Sequence, residues 1–303
     1  MKVRPLVTVI CLCHNHETYV SQAIESVFEQ TYSNIELIVA DDASSDNSKQ
    51  EIQKKLQNHP EAQFISLHEN IGNCAAFNLA LQRASGEYVI DLAADDVLLE
   101  DRVQLGVQAF KEKDRSFGIN FTNAELIDES DRLLKTFYEV DALGRSLIEI
   151  PEGDIFQKVI QSYFICAPTT MYAREVLEEL GGYDETLTYE DFDFWIRSSR
   201  KYKYCYTDKV LVKKRILRNS KSKEQFRFFS KHTRSTLTVL KKAARLVVSE
   251  GEKSALRSRL RYEMRKALER GQFQYFFKYF ALYAELSSAV ILALHHTYVA
   301  MIS

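Results

Sequence analysis

Residues 6–13, with the sequence LVTVICLC, form the first apolar run of the chain. The run is short, rich in β-branched residues and almost free of polar side chains, which is typical of a strand buried on both faces of a parallel sheet. Three similar runs follow: IELIVADD (35–42), QFISLHE (63–69) and GEYVIDLA (86–93). Helical patterns separate these runs, so the sequence predicts an α/β fold with a mostly parallel sheet flanked by helices.

The later part of the chain changes in pattern. FGINFTNAELID (117–128) predicts another strand, and the pair Gly181 and Gly182 predicts the end of a helix. Successive helices are predicted beyond residue 222. We therefore expect an α/β domain over residues 1–220 and a basic helical region over residues 221–303.

Composition and charge limit the class of protein. The 303 residues are 46% hydrophobic with four Pro and ten Gly, which excludes collagen-like and low-complexity chains and allows a sizeable core. Residues 1–199 hold 16 basic and 35 acidic side chains, whereas residues 200–270 hold 23 basic and 6 acidic ones. This asymmetry predicts an anionic partner, such as nucleic acid, a membrane surface or a phosphate-bearing ligand. An ordinary solvated helical face is the alternative.

The cysteines and the chain termini bear on the compartment. The five cysteines form no C-x-x-C pair, and no signal segment precedes the first strand, so we predict a cytoplasmic protein with reduced thiols. Cys11 and Cys13 are interpreted as small core residues rather than metal ligands. The aromatic segment 272–302 is too short in its apolar part to span a bilayer. It predicts a helix docked on the body or an amphipathic helix at the inner face of the cytoplasmic membrane.

Three polar clusters follow the predicted strands: CHNHE (13–17), ADDASSD (40–46) and AADD (93–96). Ligands of open α/β sheets bind beyond the carboxyl ends of the strands, where these clusters are expected. Asp and Asn also cap helices at such positions, which is the alternative for each cluster taken singly. Together the three clusters predict one shared crevice.

Five ordered motifs resemble those of family 2 glycosyltransferases with the GT-A fold, over roughly residues 6–219. VTVICLCHN is similar to the opening strand of that family, and IVADDASSDNS to its Asp-Asp-Gly-Ser-x-Asp loop. The other three are ENIGNCAAFNLALQRASGEYV, LAADDVLLEDR, which resembles the Asp-x-Asp region, and GGYDETLTYEDFDFW. The resemblance implies inverting transfer of one sugar from a nucleotide-diphosphate sugar to a saccharide or lipid-linked hydroxyl acceptor. Bacterial surface polysaccharide or glycolipid assembly is the implied setting.

The resemblance also implies roles for individual residues. Asp95 and Asp96 would bind Mg²⁺ or Mn²⁺ against the diphosphate, because hard cations prefer carboxylate oxygens and neutralise the leaving group. Asp191 would be the general base for the acceptor hydroxyl, with Glu190 as second choice, although both could merely favour a helix N-terminus. The implied donor-binding residues are His14, Asn15, Glu17, Asp41, Asp42, Asn70, Gly72, Asp95, Arg215 and Arg218.

The sequence departs from the family pattern at several points. Ala93 stands where the first Asp of Asp-x-Asp is usual, and Phe77 replaces a frequent Arg, which puts one metal ligand and one donor contact in doubt. No Gln-x-x-Arg-Trp motif follows Asp191, which favours addition of a single sugar over polymer synthesis.

A catalytically idle nucleotide-sugar or lipid-phosphate binding protein is the alternative. A nucleotidyltransferase would need a Gly-rich loop after the first strand, and no nucleic-acid-binding module is recognisable.

Overall fold

The computed structural model describes residues 4–187, 191–217 and 231–302, with the backbone alone at 231–232 and 288–302. The predicted site residues Glu190 and Arg218 lie outside the described residues.

Among the described residues, a twisted sheet of nine strands forms the centre of the protein. Its strands are β1 (Val7–Cys13), β2 (Ile35–Asp41), β3 (Gln63–Ser66), β4 (Tyr88–Ala93), β5 (Val97–Leu98), β6 (Phe117–Ile127), β7 (Leu133–Thr136), β8 (Met171–Ala173) and β9 (Lys203–Arg215). They lie in the order β3-β2-β1-β4-β8-β6-β9-β5, and β7 pairs with β6. Strands β1, β2, β3, β4, β6 and β9 run in one direction, while β5, β7 and β8 are antiparallel to their neighbours. The predicted mostly parallel α/β sheet is confirmed.

Helices cover the sheet and extend beyond it. The body contains α1 (Val20–Phe28), α2 (Ser48–Leu56), α3 (Asn73–Leu81), α4 (Arg102–Lys111), α5 (Phe156–Gln161), α6 (Arg174–Glu179) and α7 (Asp191–Ser199). A 3₁₀ turn spans Ala167–Thr169. The C-terminal helices are α8 (Lys231–Leu246), α9 (Glu250–Glu269) and α10 (Phe273–Ile302).

The strands and helices predicted for the first half of the chain are present. The apolar residues on which these predictions rest are buried in the structure. Every residue of β1 is buried, as expected for a strand with helices on both faces of its sheet. Helix α1 buries Val20, Ile24 and Val27 on one face. Helix α6 ends before Gly181 and Gly182, whose φ angles of +71° and +69° suit glycine at a helix terminus.

The C-terminal helices pack on the body and share its core. Leu240 of α8 and Leu256 and Leu260 of α9 are fully buried and belong to the same apolar cluster as the sheet. Helix α9 packs against α5, and α8 against α7. In the described part of the chain, no helix is long and apolar enough to cross a membrane.

The register of the parallel strands places the site. Cys13, at the end of β1, pairs with Asp41 at the end of β2, and Leu12 pairs with Ala93 at the end of β4. The three polar clusters therefore leave the sheet at one edge. Strand β9 reaches the same edge at its own carboxyl end, because it runs parallel to β6.

Candidate active site

Two adjacent carboxylates leave β2 at the carboxyl edge of the sheet. Asp42 is buried, and its carboxylate accepts the backbone N–H groups of Ile71 and Gly72 at 2.8 and 3.0 Å. Asp41 is also buried and accepts the hydroxyl of Ser44. Asp42 therefore joins the β2 loop to the loop before α3, and its carboxylate keeps lone pairs that a ligand N–H group can use.

His14 lies against this acid pair. Its Nδ1 is 2.8 Å from the carbonyl oxygen of Asp42, and the side-chain amide of Asn70 lies 3.1 Å from each ring nitrogen. Gly72 follows with φ at +88°, a conformation that glycine adopts without strain. The structure thus brings four of the predicted donor-binding residues together: His14, Asp42, Asn70 and Gly72.

Asn15 and Glu17 have a different environment. The side-chain oxygen of Asn15 accepts the backbone N–H of Ser45 at 2.8 Å, and the Glu17 carboxylate accepts the backbone N–H of Asn47 at 2.8 Å. Both side chains therefore hold the loop that leads into α2. This arrangement matches a turn or cap role better than the predicted contact with a donor.

Asp95 and Asp96 follow β4 and differ in their surroundings. Asp96 is buried and accepts the backbone N–H of Arg215 at 2.8 Å. Burial, together with the neighbouring Asp95 charge, raises the pKa of Asp96 well above its usual range. Asp95 is half-buried, and its carboxylate has no hydrogen bond within the part of the chain that the structure describes. Asp95 is therefore the carboxylate available to a ligand, and Asp96 mainly anchors the end of β9.

Arg215 is buried, which disagrees with the predicted contact with phosphate. Its guanidinium donates to the carbonyl oxygens of Asp95 and Asp128 at 3.0 and 3.1 Å, and to the side chains of Gln22 and Asp131 at 2.7 Å each. Its side chain has no exposed surface. Four of the five N–H donors of this guanidinium bond to groups within the protein. The Arg215 side chain therefore links the loops that carry these groups and does not face a ligand in this structure.

Asp191 begins α7 and is held by its neighbours. The hydroxyl of Tyr163 and the backbone N–H of Phe192, at 2.8 Å, both donate to its carboxylate. Burial raises the pKa of Asp191, while these hydrogen bonds and the Lys214 charge oppose the increase. A carboxylate whose pKa is raised is a better proton acceptor, which suits a general base.

The Lys214 side chain interacts electrostatically both with Asp95 and Asp96 and with Asp191. It is half-buried at the end of β9, and burial lowers its pKa, but the nearby groups Cys166, Asp96, Asp191 and Asp95 outweigh burial and raise it. Burial raises the pKa of the Cys166 thiol to about 12. At neutral pH the cluster therefore contains one ammonium group and one protonated thiol, close to the acidic side chains of Asp95, Asp96 and Asp191.

The residues present fit a metal ion only in part. Among residues 4–187, 191–217 and 231–302, no group of three or more His, Cys, Asp and Glu side chains is arranged to hold one. Asp95 offers one open carboxylate, and Mg²⁺ is often bound through one or two carboxylates together with substrate phosphates. The donor set therefore fits a cation that arrives with a diphosphate, and not a preformed protein site.

The structure explains one of the departures noted in the sequence, Phe77, and gives no explanation for the other, Ala93. Phe77 is fully buried and stacks on Tyr183 with ring centroids 4.3 Å apart, so it contributes to the core. Ala93 is the last residue of β4. Sequence reasoning missed Lys214 and Tyr163 as site residues. The Lys-Lys-Arg run at the end of β9 was the available signal for Lys214, whereas the irregular segment around Tyr163 carried none.

Comparison with known proteins identifies similar sequences. Residues 8–181 match the family model described as glycosyl transferase family 2. An uncharacterized glycosyltransferase of Methanocaldococcus jannaschii is 29% identical over 220 residues, covering 70% of this chain and 71% of that protein. The putative teichuronic acid biosynthesis glycosyltransferase TuaG of Bacillus subtilis is 27% identical, covering 74% and 84%. Chondroitin synthase of Escherichia coli is 26% identical, and the match covers 29% of its length.

Solved structures share the fold. Residues 1–349 of S. aureus TarS in complex with UDP-GlcNAc superpose with a TM-score of 0.66 at 17% identity, covering 84% of this chain and 71% of that one. The mannosyltransferase PcManGT from Pyrobaculum calidifontis, in complex with GDP-Man and Mn²⁺, gives 0.61 at 19% identity, covering 99% and 81%. These similarities confirm the expected GT-A type of α/β fold.

Proposed function

Because the chain belongs to glycosyl transferase family 2, we propose that it transfers one sugar from a nucleotide-diphosphate sugar to a hydroxyl group of a saccharide or lipid-linked acceptor. The observation that carries this proposal is the cluster of Asp95, Asp96, Asp191 and Lys214 at the carboxyl edge of the sheet. It combines an available carboxylate, a cation and a carboxylate of raised pKa beside the predicted nucleotide site.

In the proposed reaction, the nucleoside lies against His14 and Asp42. The imidazole ring can stack on a base, and the buried Asp42 carboxylate can accept a base N–H group. The diphosphate then extends toward Asp95 and Lys214. The Lys214 ammonium would favour the negative charge that develops on the leaving diphosphate, because a fixed cation in a partly desolvated site acts strongly on such charge.

Asp191 acts as the base in this scheme. The acceptor hydroxyl loses its proton to the Asp191 carboxylate as its oxygen bonds to the anomeric carbon and the diphosphate leaves from the opposite side. A single displacement inverts the anomeric configuration. Tyr163 holds the Asp191 carboxylate in position through its hydroxyl.

We include a divalent cation, Mg²⁺ or Mn²⁺, as a cofactor that binds together with the donor. Asp95 would hold it, whereas Asp96 is occupied by the backbone of Arg215. When bound, such a cation neutralises charge on the diphosphate. The Mn²⁺ in complex with PcManGT supports this cofactor for the fold.

A screen of nucleotide sugars tests the donor assignment. Thermal unfolding is followed with each nucleotide sugar in the presence of Mn²⁺, because a ligand at 100 times its Kd stabilises the fold by about 2.7 kcal/mol. The donor that raises the Tm is then assayed for nucleoside diphosphate release with saccharide and lipid-linked acceptors. The proposal is abandoned if no nucleotide sugar raises the Tm and none is consumed.

The second candidate function is a binding protein without catalysis. Ala93 and the buried Phe77 favour it, because each is an apolar residue where the family pattern usually has a polar one, Asp and Arg respectively. Stabilisation by a nucleotide sugar, with neither hydrolysis nor transfer over the acceptor panel, would support this candidate over the enzyme.

We also propose that the protein works in surface polysaccharide or glycolipid assembly, at the inner face of the cytoplasmic membrane. The similarity to TuaG supports the first part. For the second, Phe273, Phe277 and Phe280 of α10 are 61%, 65% and 51% exposed and recur at helical spacing on one face. Flotation with anionic vesicles tests the attachment, and a chain in which these three are Ser should remain unbound.

A further inference from the structure

A cavity of about 470 Å³ lies between the end of α5 and the helices α8, α9 and α10. Its volume is typical of sites that bind small molecules. Tyr163 lines this cavity and also donates its hydroxyl to Asp191. The guanidinium of Arg259, another lining residue, lies 4.8 Å from the ring centroid of Phe192. The cavity is therefore separated from the candidate base by single side chains.

Most of the charged residues that line the cavity are cationic. Arg259, Lys266 and Arg270 contribute three positive charges from one helix and its C-terminus, whereas Glu263 contributes one negative charge. Glu263 pairs with Arg259 at 2.8 Å, and Lys266 pairs with Glu269 at 2.7 Å. A ligand with several acceptor oxygens and a negative charge matches this lining, because guanidinium and ammonium groups bind such ligands through charge-assisted hydrogen bonds.

A buried amide in the same lining lacks a partner. Gln272 is 3% exposed, and its side-chain oxygen accepts the hydroxyl of Thr233 at 3.3 Å. Its Nε2 has no hydrogen-bond acceptor among the described residues. An unsatisfied buried donor is destabilising, so a hydrogen bond from this amide would favour binding of an acceptor oxygen in the cavity.

We infer that this cavity is an acceptor subsite that binds a phosphate group attached to the acceptor. The phosphate contacts Lys266, Arg270 and the Gln272 amide, and the part of the acceptor that carries the reactive hydroxyl passes Tyr163 toward Asp191. This inference rests on the proposed function, and it specifies the acceptor as a phosphate ester. Phosphate is favoured because its oxygens can meet several donors at once.

Calorimetry on the full chain with sn-glycerol 3-phosphate tests the subsite. We expect glycerol phosphate to bind saturably at one site. Glycerol, which lacks the phosphate, is the negative control and should not bind. The double variant Lys266→Gln/Arg270→Gln should weaken binding more than tenfold, and Gln272→Glu should do the same by placing a negative charge among the donors. Arg261→Gln is the matched control, since this exposed side chain lies on the same helix outside the cavity.

The outcomes show whether the phosphate belongs to a lipid or to a soluble ester. They also distinguish failure of the subsite from failure of the proposed transferase function. Vesicles containing phosphatidic acid that compete with glycerol phosphate would support a lipid-linked phosphate, and absence of competition would support a soluble or polymeric ester. Absence of glycerol phosphate binding, or equal binding by wild type and the double variant, would refute the subsite. Nucleotide-sugar stabilisation is measured in parallel and should be unchanged in both cavity variants. If it is absent while glycerol phosphate binds, the proposed transferase function fails and the phosphate site stands.

Discussion

The substitution Asp191→Asn tests the candidate base most directly. The asparagine keeps a side-chain oxygen that can accept both the Tyr163 hydroxyl and the Phe192 N–H, so the start of α7 should stay intact. The change removes only the ability to take a proton. General base catalysis typically contributes about 10²–10⁴-fold to the rate, which corresponds to roughly 3–5 kcal/mol of transition-state stabilisation.

The same substitution should not reduce stability. Burial raises the pKa of Asp191 in the folded state, which means that the ionised carboxylate is less favourable there than in the unfolded chain. The unfavourable effect develops as the pH rises through the unfolded-state pKa and is complete above the folded-state pKa. At neutral pH the neutral amide removes it, so the Tm of the variant should equal or exceed that of wild type.

The assay follows nucleoside diphosphate release under saturating donor, with donor affinity measured separately by thermal shift. We expect kcat to fall by about 10²–10⁴-fold while donor affinity stays the same. Asp114→Asn is the matched control, since this exposed carboxylate precedes β6 at the opposite edge of the sheet and accepts the backbone N–H of the nearby Ser116. A kcat near the wild-type value in a folded Asp191→Asn variant would refute the assignment of the base.

Three further changes test the site and the fold. Tyr163→Phe removes a hydrogen bond that lowers the pKa of Asp191, so the acidic limb of the kcat–pH profile should move to higher pH, because the base works only when deprotonated. Asp95→Asn should abolish the Mn²⁺ binding that calorimetry detects when a nucleoside diphosphate is present. Gly182→Ala should lower the free energy of unfolding in urea by about 1–3 kcal/mol, because its Cβ would lie 2.3 Å from the side-chain oxygen of Asn78 at a φ of +69°.

Each of these changes has its own control or contrary result. An acidic limb that stays in place in Tyr163→Phe would show that this hydroxyl does not affect the base. Tight Mn²⁺ binding without any nucleotide would contradict a cation held jointly with the diphosphate. Gly181→Ala is the control for the fold, since it has a similar φ of +71° but open space around the added Cβ. It should cost less than Gly182→Ala, and equal losses would show that backbone strain alone is responsible.

The sequence predicts the first half of the fold well because its signals are local. Strands such as β1 and β4 are mostly apolar, and the pattern of α1 matches the face it buries. Strand β9 was not predicted, since KYCYTDKVLVKKR mixes charged and apolar residues without a regular period. Its extended form depends on pairing with β6 and β5, which lie far from it in sequence.

The sequence by itself determined the family, the edge of the sheet where polar clusters meet, and the acids Asp42, Asp95 and Asp191 as candidates. It could do so because each acid lies within two residues of the end of a strand or begins a helix, and local pattern marks such positions. Only the tertiary structure decided which of the charged side chains at this edge remain available to bind a ligand. The return of β9 to this edge occupies Asp96 with a backbone N–H, buries Arg215 and places the Lys214 ammonium within electrostatic reach of the carboxylates. The hydrogen bond between Arg215 and Asp96 joins residues 119 positions apart in the chain, so its effect on charge is fixed only when the sheet is assembled.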